Sequence, residues 1–216
     1  MNRRIGVLIS GRGSNLQALI DAIGDTRLNA TIAVVISNRQ EAGGLERARR
    51  AGIDALCIDH RGWPSRDDHD RAIVGELRAR DVGLVCLAGY MRLVGAPLLE
   101  AFPNAILNIH PSLLPAFPGV DAQRQAIEHG VRISGVTVHL VTPELDGGPV
   151  ILQRAVPVLD GDSPETLAAR ILIEEHRAYP DAVTIVLDGG WRIEGRRFIR
   201  SANAASGSPS RLPVGS

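Results

Sequence analysis

Short, continuous apolar runs recur along this chain, and after each one apolar residues return only every three or four positions. Ile5-Gly6-Val7-Leu8-Ile9, Thr31 to Ser37, Asp54 to Ile58 and Val82 to Leu87 are the runs, short enough for strands buried on both faces. Between them the periodicity predicts helices from about Leu16 to Ile23, through Leu45 to Ala51, and from Asp67 to Arg80, the last charged and amphipathic. Strands alternating with helices at this spacing predict an α/β fold: a doubly wound, Rossmann-like, mostly parallel sheet with helices on both faces and right-handed crossovers.

A fifth run, Ala105-Ile106-Leu107, leads into Asn108-Ile109-His110-Pro111-Ser112-Leu113-Leu114-Pro115. Pro111, Pro115 and Pro118 stop a strand near His110 and begin an irregular loop. Beyond it the chain becomes β-rich. Ala122 to Gly130 reads as a helix, Ile133 to Val141 and Val150 to Val158 as strands, and Pro164 to about Leu187 as a long helix interrupted near Pro180. Trp191 to Ile193 and Arg197 to Ile199 predict a hairpin about Glu194-Gly195-Arg196. From Ser201 on, Ala, Ser, Gly and Pro leave little to bury, so a single domain over residues 1–200 should be followed by a disordered tail over residues 201–216.

Composition narrows the partners. With 216 residues, 44% of them apolar, the chain can bury one ample core. Its 24 basic residues balance 24 acidic ones, so overall charge argues for neither nucleic acid nor an anionic membrane. Every basic residue is an arginine, which excludes a Schiff-base lysine and a Walker-type phosphate lysine. Cys57 and Cys86 lie in apolar runs and read as buried, reduced thiols. The apolar run after Met1-Asn2-Arg3-Arg4 is too short for a signal-peptide core or a membrane span, and the chain reads as soluble and cytoplasmic, its oligomeric state left open.

In such sheets ligands bind beyond the carboxyl ends of the strands, so Ser10 to Asn15, Ala88-Gly89-Tyr90-Met91-Arg92 and Asn108 to His110 should converge on one crevice. Asn108 and His110, two apart on a strand, share a face. An amide that donates and accepts, beside an imidazole that carries a proton near neutral pH, suits chemistry at a carbonyl carbon. Glu144-Leu145-Asp146-Gly147-Gly148 is expected to lie against this pair, with Asp146 orienting the imidazole and favouring its charged form.

Ser10-Gly11-Arg12-Gly13-Ser14-Asn15 leaves a strand and opens a helix, presenting backbone N–H groups and the Ser14 and Asn15 side chains to a phosphate. A dinucleotide fingerprint fails at its third glycine, which is Leu16, and the second strand ends in Ser37-Asn38-Arg39 instead of a ribose-binding acid. A phosphomonoester is therefore preferred. An NADP-binding Rossmann enzyme, with Arg39 on the 2′-phosphate, is the alternative.

Each candidate also has a plain structural reading. His110 could be a hydrogen-bonded strand-end residue, Asp146 a turn acid, and Glu174-Glu175-His176 a solvated helix face. His139 lies in Val136-Thr137-Val138-His139-Leu140, where polar positions face away from the apolar ones; it lines the crevice or is solvated. No histidines pair at metal-ligand spacing, so no metal site is expected.

Ser10 to Leu16, Ala88 to Arg92, Asn108 to Pro115 and Asp146-Gly147-Gly148-Pro149-Val150-Ile151 together resemble the phosphoribosylglycinamide formyltransferase family, from the first strand to about residue 200. The resemblance implies a metal-independent transfer of formyl from 10-formyltetrahydrofolate to the amine of glycinamide ribonucleotide in purine biosynthesis. It implies a phosphate cradle of Gly13, Ser14 and Asn15, with Leu172, Ile173, Glu174 and Glu175 as further ribonucleotide contacts. It also implies a folate pocket of Arg66, Met91, Arg92, Leu93, Val94, Asn108, Thr142, Pro143, Glu144, Leu145 and Asp146. Asn108 would hold the formyl oxygen, His110 move the proton and Asp146 support the imidazolium. Arg12, and Asp121 and Gln123 after Gly119, depart from the pattern and receive no role. A 10-formyltetrahydrofolate hydrolase would pass the same group to water and is the nearest rival, although relatives of that kind carry an added N-terminal domain.

Overall fold

A computed structural model describes residues 2–201; of the tail read over residues 201–216, all but Ser201 lies outside the described residues. The first half alternates as its apolar runs predict: β1 (Arg4–Ile9), α1 (Ser14–Gly24), β2 (Thr31–Ser37), α2 (Gly43–Arg50), β3 (Ala55–Cys57), α3 (Arg66–Ala79), β4 (Leu84–Leu87), α4 (Ala96–Ala101) and β5 (Ile106–His110). There follow α5 (Ala122–Glu128), β6 (Ile133–Leu140), β7 (Val150–Pro157), α6 (Pro164–Asp188), β8 (Trp191–Glu194) and β9 (Arg197–Arg200). No helix among the described residues is long and apolar enough to cross a membrane.

These strands form a single sheet in the order β3-β2-β1-β4-β5-β6-β7-β9-β8. β3, β2, β1, β4 and β5 run parallel, β6 adds antiparallel to β5, β7 pairs antiparallel to β6 and so runs in the direction of the first five, and the β8–β9 hairpin closes the far edge. From β1 the chain winds outward to β3, returns to β4 on the other side, and winds the opposite way. That reversal opens a crevice beyond the carboxyl ends of β1 and β4. Ile5, Val7, Leu8 and Ile9 of β1 are fully buried, and β4 is buried along its length, as strands covered on both faces should be.

The fold differs from the sequence reading at several points. α6 runs unbroken through Pro180, because Ala178, Tyr179, Ala182, Val183 and Val186 are buried around it and tertiary packing outweighs the lost backbone donor. α4 and a 3₁₀ turn at His60–Gly62 were too short to leave a periodic signal. β4 begins at Leu84 instead of Val82, since Val82 N–H still caps α3 by donating to Leu77 O at 3.1 Å. The thiols differ from each other: Cys86 is fully buried but Cys57, near the β3 edge, only partly so.

Candidate active site

β5 is paired so that Asn108 stands opposite His139, and His110 opposite Thr137, of β6. Residues directly opposite in an antiparallel pair share a face, so one strand pair collects the amide and both imidazoles. β6 is buried from Ser134 to Leu140, which puts His139, 2% exposed, inside the molecule on the crevice side. Of its two sequence readings, the solvated one is thereby excluded.

Hydrogen-bond partners assign the tautomers. His139 Nδ1 faces Leu140 O at 2.9 Å and donates to it, leaving Nε2 to accept from Asn108 Nδ2 at 3.2 Å. The Asn108 amide is thus held in one orientation with its second N–H still available. His110 Nε2 donates to Phe117 O at 2.8 Å, and its Nδ1 stands 3.5 Å from Asp146 Oδ2.

Asp146 occupies a turn with φ +50°, a left-handed conformation that a short polar side chain tolerates. The turn conformation of the turn-acid reading is therefore present, and it does not exclude a role in the site. Its Oδ2 accepts the Gly119 N–H at 2.8 Å, and its Oδ1 lies 3.7 Å from His139 Nε2, an ion-pair distance and not a hydrogen bond. Burial pushes the Asp146 carboxyl up, but His139, the Gly119 N–H and the proximity of His110 outweigh it, and the net shift is below the ordinary carboxylate value. A carboxylate between two imidazoles that stays ionised can stabilise a positive charge on either.

The glycine loop is built against α2. Gly13 has φ +73°, and a Cβ there would come within 2.6 Å of Gly44 Cα, so both conformation and space require glycine. Gln17 N–H donates to Gly13 O at 3.0 Å, the first rung of α1, so the N–H groups from Ser14 onward precede the ladder and point out of its N-terminus. Asn15 departs from expectation: its Nδ2 donates to Glu175 Oε2 at 2.7 Å, and its buried Oδ1 has no partner. The Asn15 amide N–H is thus already engaged, which leaves the backbone N–H groups and the Ser14 side chain as the loop's open donors. Ser10 joins this loop to the next one. Its Oγ accepts the Met91 N–H at 2.8 Å and donates to Asn38 Oδ1 at 2.6 Å, a bridge the sequence reading did not foresee.

Of Leu172 to Glu175, Glu175 alone is shown reaching the loop. Leu172 is half-buried, Ile173 exposed, and Glu174 pairs with Arg177 at 2.7 Å and Arg154 at 3.6 Å. Burial raises the Glu175 carboxyl, with the Asn15 amide opposing. On the other side of the crevice Met91 and Leu93 are exposed, while Arg92 and Val94 are half-buried. Arg66 starts α3 beside Gly95, at the end of that loop. Thr142, Pro143, Glu144 and Leu145 lead to Asp146, and Arg196 ties this turn to the β8–β9 hairpin through Glu144 at 3.1 Å and Gly147 O at 2.8 Å. Arg39 faces a different recess with Asn38, Glu41, His60 and Arg61, away from the Asn108–Asp146 group. Among the described residues no group of three or more His, Cys, Asp or Glu is arranged to hold a metal ion.

Residues 3–183 match the formyl transferase family. The phosphoribosylglycinamide formyltransferase of Escherichia coli (strain K12) is 44% identical over 209 residues, covering 97% of this chain and 95% of that protein. The trifunctional purine biosynthetic protein adenosine-3 of Drosophila pseudoobscura is 47% identical over 192 residues; the match covers 88% of this chain but only 14% of that longer protein. Among solved structures, glycinamide ribonucleotide transformylase 1 from Symbiobacterium toebii superposes with a TM-score of 0.91 at 60% identity, covering 93% of this chain and 94% of that one. A formyltetrahydrofolate deformylase from Pseudomonas syringae shares the fold at 25% identity and a TM-score of 0.86, covering 93% of this chain and 66% of that one. With the match spanning the strands that carry Asn108, His110 and His139, the chain belongs to the formyl transferase family, among the phosphoribosylglycinamide formyltransferases.

Proposed function

We propose that this protein transfers the formyl group of 10-formyltetrahydrofolate to the amine of N1-(5-phospho-D-ribosyl)glycinamide, in the cytoplasm and as a step of de novo purine biosynthesis. The observation that carries the reading is the Asn108–His110–His139–Asp146 group, with both imidazoles within 4 Å of one ionised carboxylate. Formyl transfer develops negative charge on the formyl oxygen and positive charge on the attacking amine. Asn108, oriented by His139, has an N–H left for that oxygen, and loss of one such donor typically costs about 3 to 4 kcal/mol of barrier.

His110 is the proton carrier in this reading. Both its ring nitrogens are engaged, Nε2 with Phe117 O and Nδ1 facing Asp146, so proton exchange with substrate requires the Phe117 bond to be exchanged for one to the reacting group. Asp146 favours the imidazolium during that exchange. Gly13, Ser14 and Asn15 would receive the phosphate at the α1 N-terminus, and Glu175 would meet the ribonucleotide beside them. Arg66, Met91 to Val94 and Thr142 to Asp146 would line the folate side, where exposed Met91, Leu93 and Leu145 offer apolar surface to a flat ring.

Incubation with 10-formyltetrahydrofolate, with and without the ribonucleotide, tests the reading. Tetrahydrofolate is expected to form only when the ribonucleotide is present. Equal release in its absence would make the protein a hydrolase, like the Pseudomonas deformylase.

A further inference from the structure

Behind the Met91–Val94 loop lies a polar cluster that the proposed chemistry does not use. His69 and Asp70 of α3 are 0% and 2% exposed. His69 Nε2 donates to Ile58 O at 2.8 Å, at the end of β3. Asp70 Oδ2 accepts the N–H of Gly95 at 2.7 Å, and Gly95 is both the residue after the loop and the N-cap of α4. The fit is tight. A Cβ on Gly95 would stand 2.8 Å from Asp70 Oδ2, 3.1 Å from Asp67 Oδ1 and 3.5 Å from Arg66 Nε.

A carboxylate is an expensive way to fill this space, since an apolar side chain would pack α3 with no desolvation cost. Burial accordingly raises the Asp70 carboxyl, against the opposing effects of the Gly95 N–H, His69 and Arg66. What a carboxylate supplies and an apolar group does not is an acceptor for a buried backbone donor at the root of the loop. His69 Nδ1 lies 3.6 Å from Asp70 Oδ1 and has no hydrogen-bond partner of its own. Tyr90 Oη and Arg92 Nε, at the loop's near end, are likewise buried without one.

We infer that Asp70 is a positioning residue: through the Gly95 N–H it fixes the Met91–Val94 loop at the height at which the formyl-folate binds. The inference rests on the proposed folate role of that loop and adds to it the residues that hold the loop from behind.

Asp70→Ala removes the acceptor. Asp70→Asn keeps a carbonyl for the Gly95 N–H and turns an NH₂ toward the unpartnered His69 Nδ1. Gly95→Ala leaves the carboxylate in place and displaces the loop from it. Steady-state kinetics with each substrate varied are expected to show the KM for 10-formyltetrahydrofolate raised about tenfold in Asp70→Ala and in Gly95→Ala. The KM for the ribonucleotide should stay within about twofold, and Asp70→Asn should return the folate KM to within about threefold of the parent. If Asp70→Ala fails to fold, Gly95→Ala and Asp70→Asn carry the comparison.

Equal changes in both KM values, or lower thermal stability with neither KM moved, would show an ordinary structural cluster and overturn the inference. Arg92→Ala, a change in the loop itself, separates the two levels. Should Arg92→Ala raise the folate KM while Asp70→Ala and Gly95→Ala do not, the positioning role alone is wrong. Should none of the three move it, the folate assignment of the loop fails and the inference falls with it.

Discussion

Glu175 and Asp146 are both buried acids of the crevice, and their carboxyls are shifted in opposite directions. Glu175 is raised by burial, so the unfolded chain releases its proton first as pH rises, and folding is penalised progressively above the ordinary value of 4.5 up to the raised folded one. Asp146 ends below 3.8, so it contributes stability above that value, which is lost as pH falls through its folded one. Glu175→Gln removes the penalty and offers an NH₂ to the buried Asn15 Oδ1, which lacks a partner. Thermal melts should therefore show Glu175→Gln above the parent at pH 7 and converging on it below about pH 4.5, with Asp146→Asn below the parent at pH 7. If Glu175 has the proposed ribonucleotide role, the same Glu175→Gln variant should bind the ribonucleotide more weakly. A Glu175→Gln advantage that stays constant from pH 4 to pH 8 would mean that its carboxyl carries no folding penalty.

Besides Glu175, α6 reaches the crevice strands through Tyr179. Tyr179, fully buried, donates from its hydroxyl to Leu87 O at 2.9 Å, with Leu107 O at 3.3 Å sharing it, and so ties the end of β4 to Leu107, early in β5. Asn108 follows Leu107 directly. Tyr179→Phe keeps the ring and removes the donor, which should cost about 1 to 3 kcal/mol and lower the midpoint by roughly 2 to 4 °C per kcal/mol. Because β5 would lose its lateral hold next to Asn108, kcat should fall with it; a destabilised variant with unchanged kcat would show that β5 is positioned by its ladder alone. Burial also isolates the neighbouring thiol: Cys86 is pushed up to about 12 by desolvation, partly offset by Tyr179.

Tyr179 also marks the limit of what periodicity tells. The alternation of β1 to β4 with α1 to α3 was legible because each element is long and locally consistent, and the sharing of a face by Asn108 and His110 follows from strand geometry alone. The continuity of α6 through Pro180 was not, because it depends on packing against β5, β6 and β7, partners distant in sequence. His139 was ambiguous for a related reason. Alternation separates two faces of a strand, yet β6 is covered on both, so its polar face points into a buried site instead of into water. The Asn15–Glu175 and Asp70–Gly95 contacts join residues far apart in the chain, and neither type of residue signals burial by itself.

The crevice as a whole is assembled from loops on different strands, and Ser10 is where two of them are fastened together. Its N–H donates to Gly89 O at 3.0 Å, its hydroxyl accepts the Met91 N–H, and it donates to Asn38 at the end of β2. The glycine loop beyond β1 and the Met91 loop beyond β4 therefore share one side chain at the point where the sheet reverses its winding. Gly13, in contrast, is packed so that an added Cβ would meet α2, at Gly44 and Arg47. Two substitutions should separate local from shared effects. Gly13→Ala forces a rebuilt glycine loop and, on the proposed phosphate role, is expected to raise the KM for the ribonucleotide while the folate KM stays near its parent value. Ser10→Ala leaves the Met91 N–H without its acceptor, a loss of about 1 to 3 kcal/mol, of which each 1.4 kcal/mol expressed in binding is about tenfold. Because the hydroxyl holds both loops, both KM values should rise in Ser10→Ala, and the thermal midpoint should drop. Steady-state kinetics on the two variants decide between one coupled crevice and two independent sites. If Ser10→Ala moved the KM of a single substrate, the two loops would be held independently, and the bridge would be a local feature of whichever loop responded.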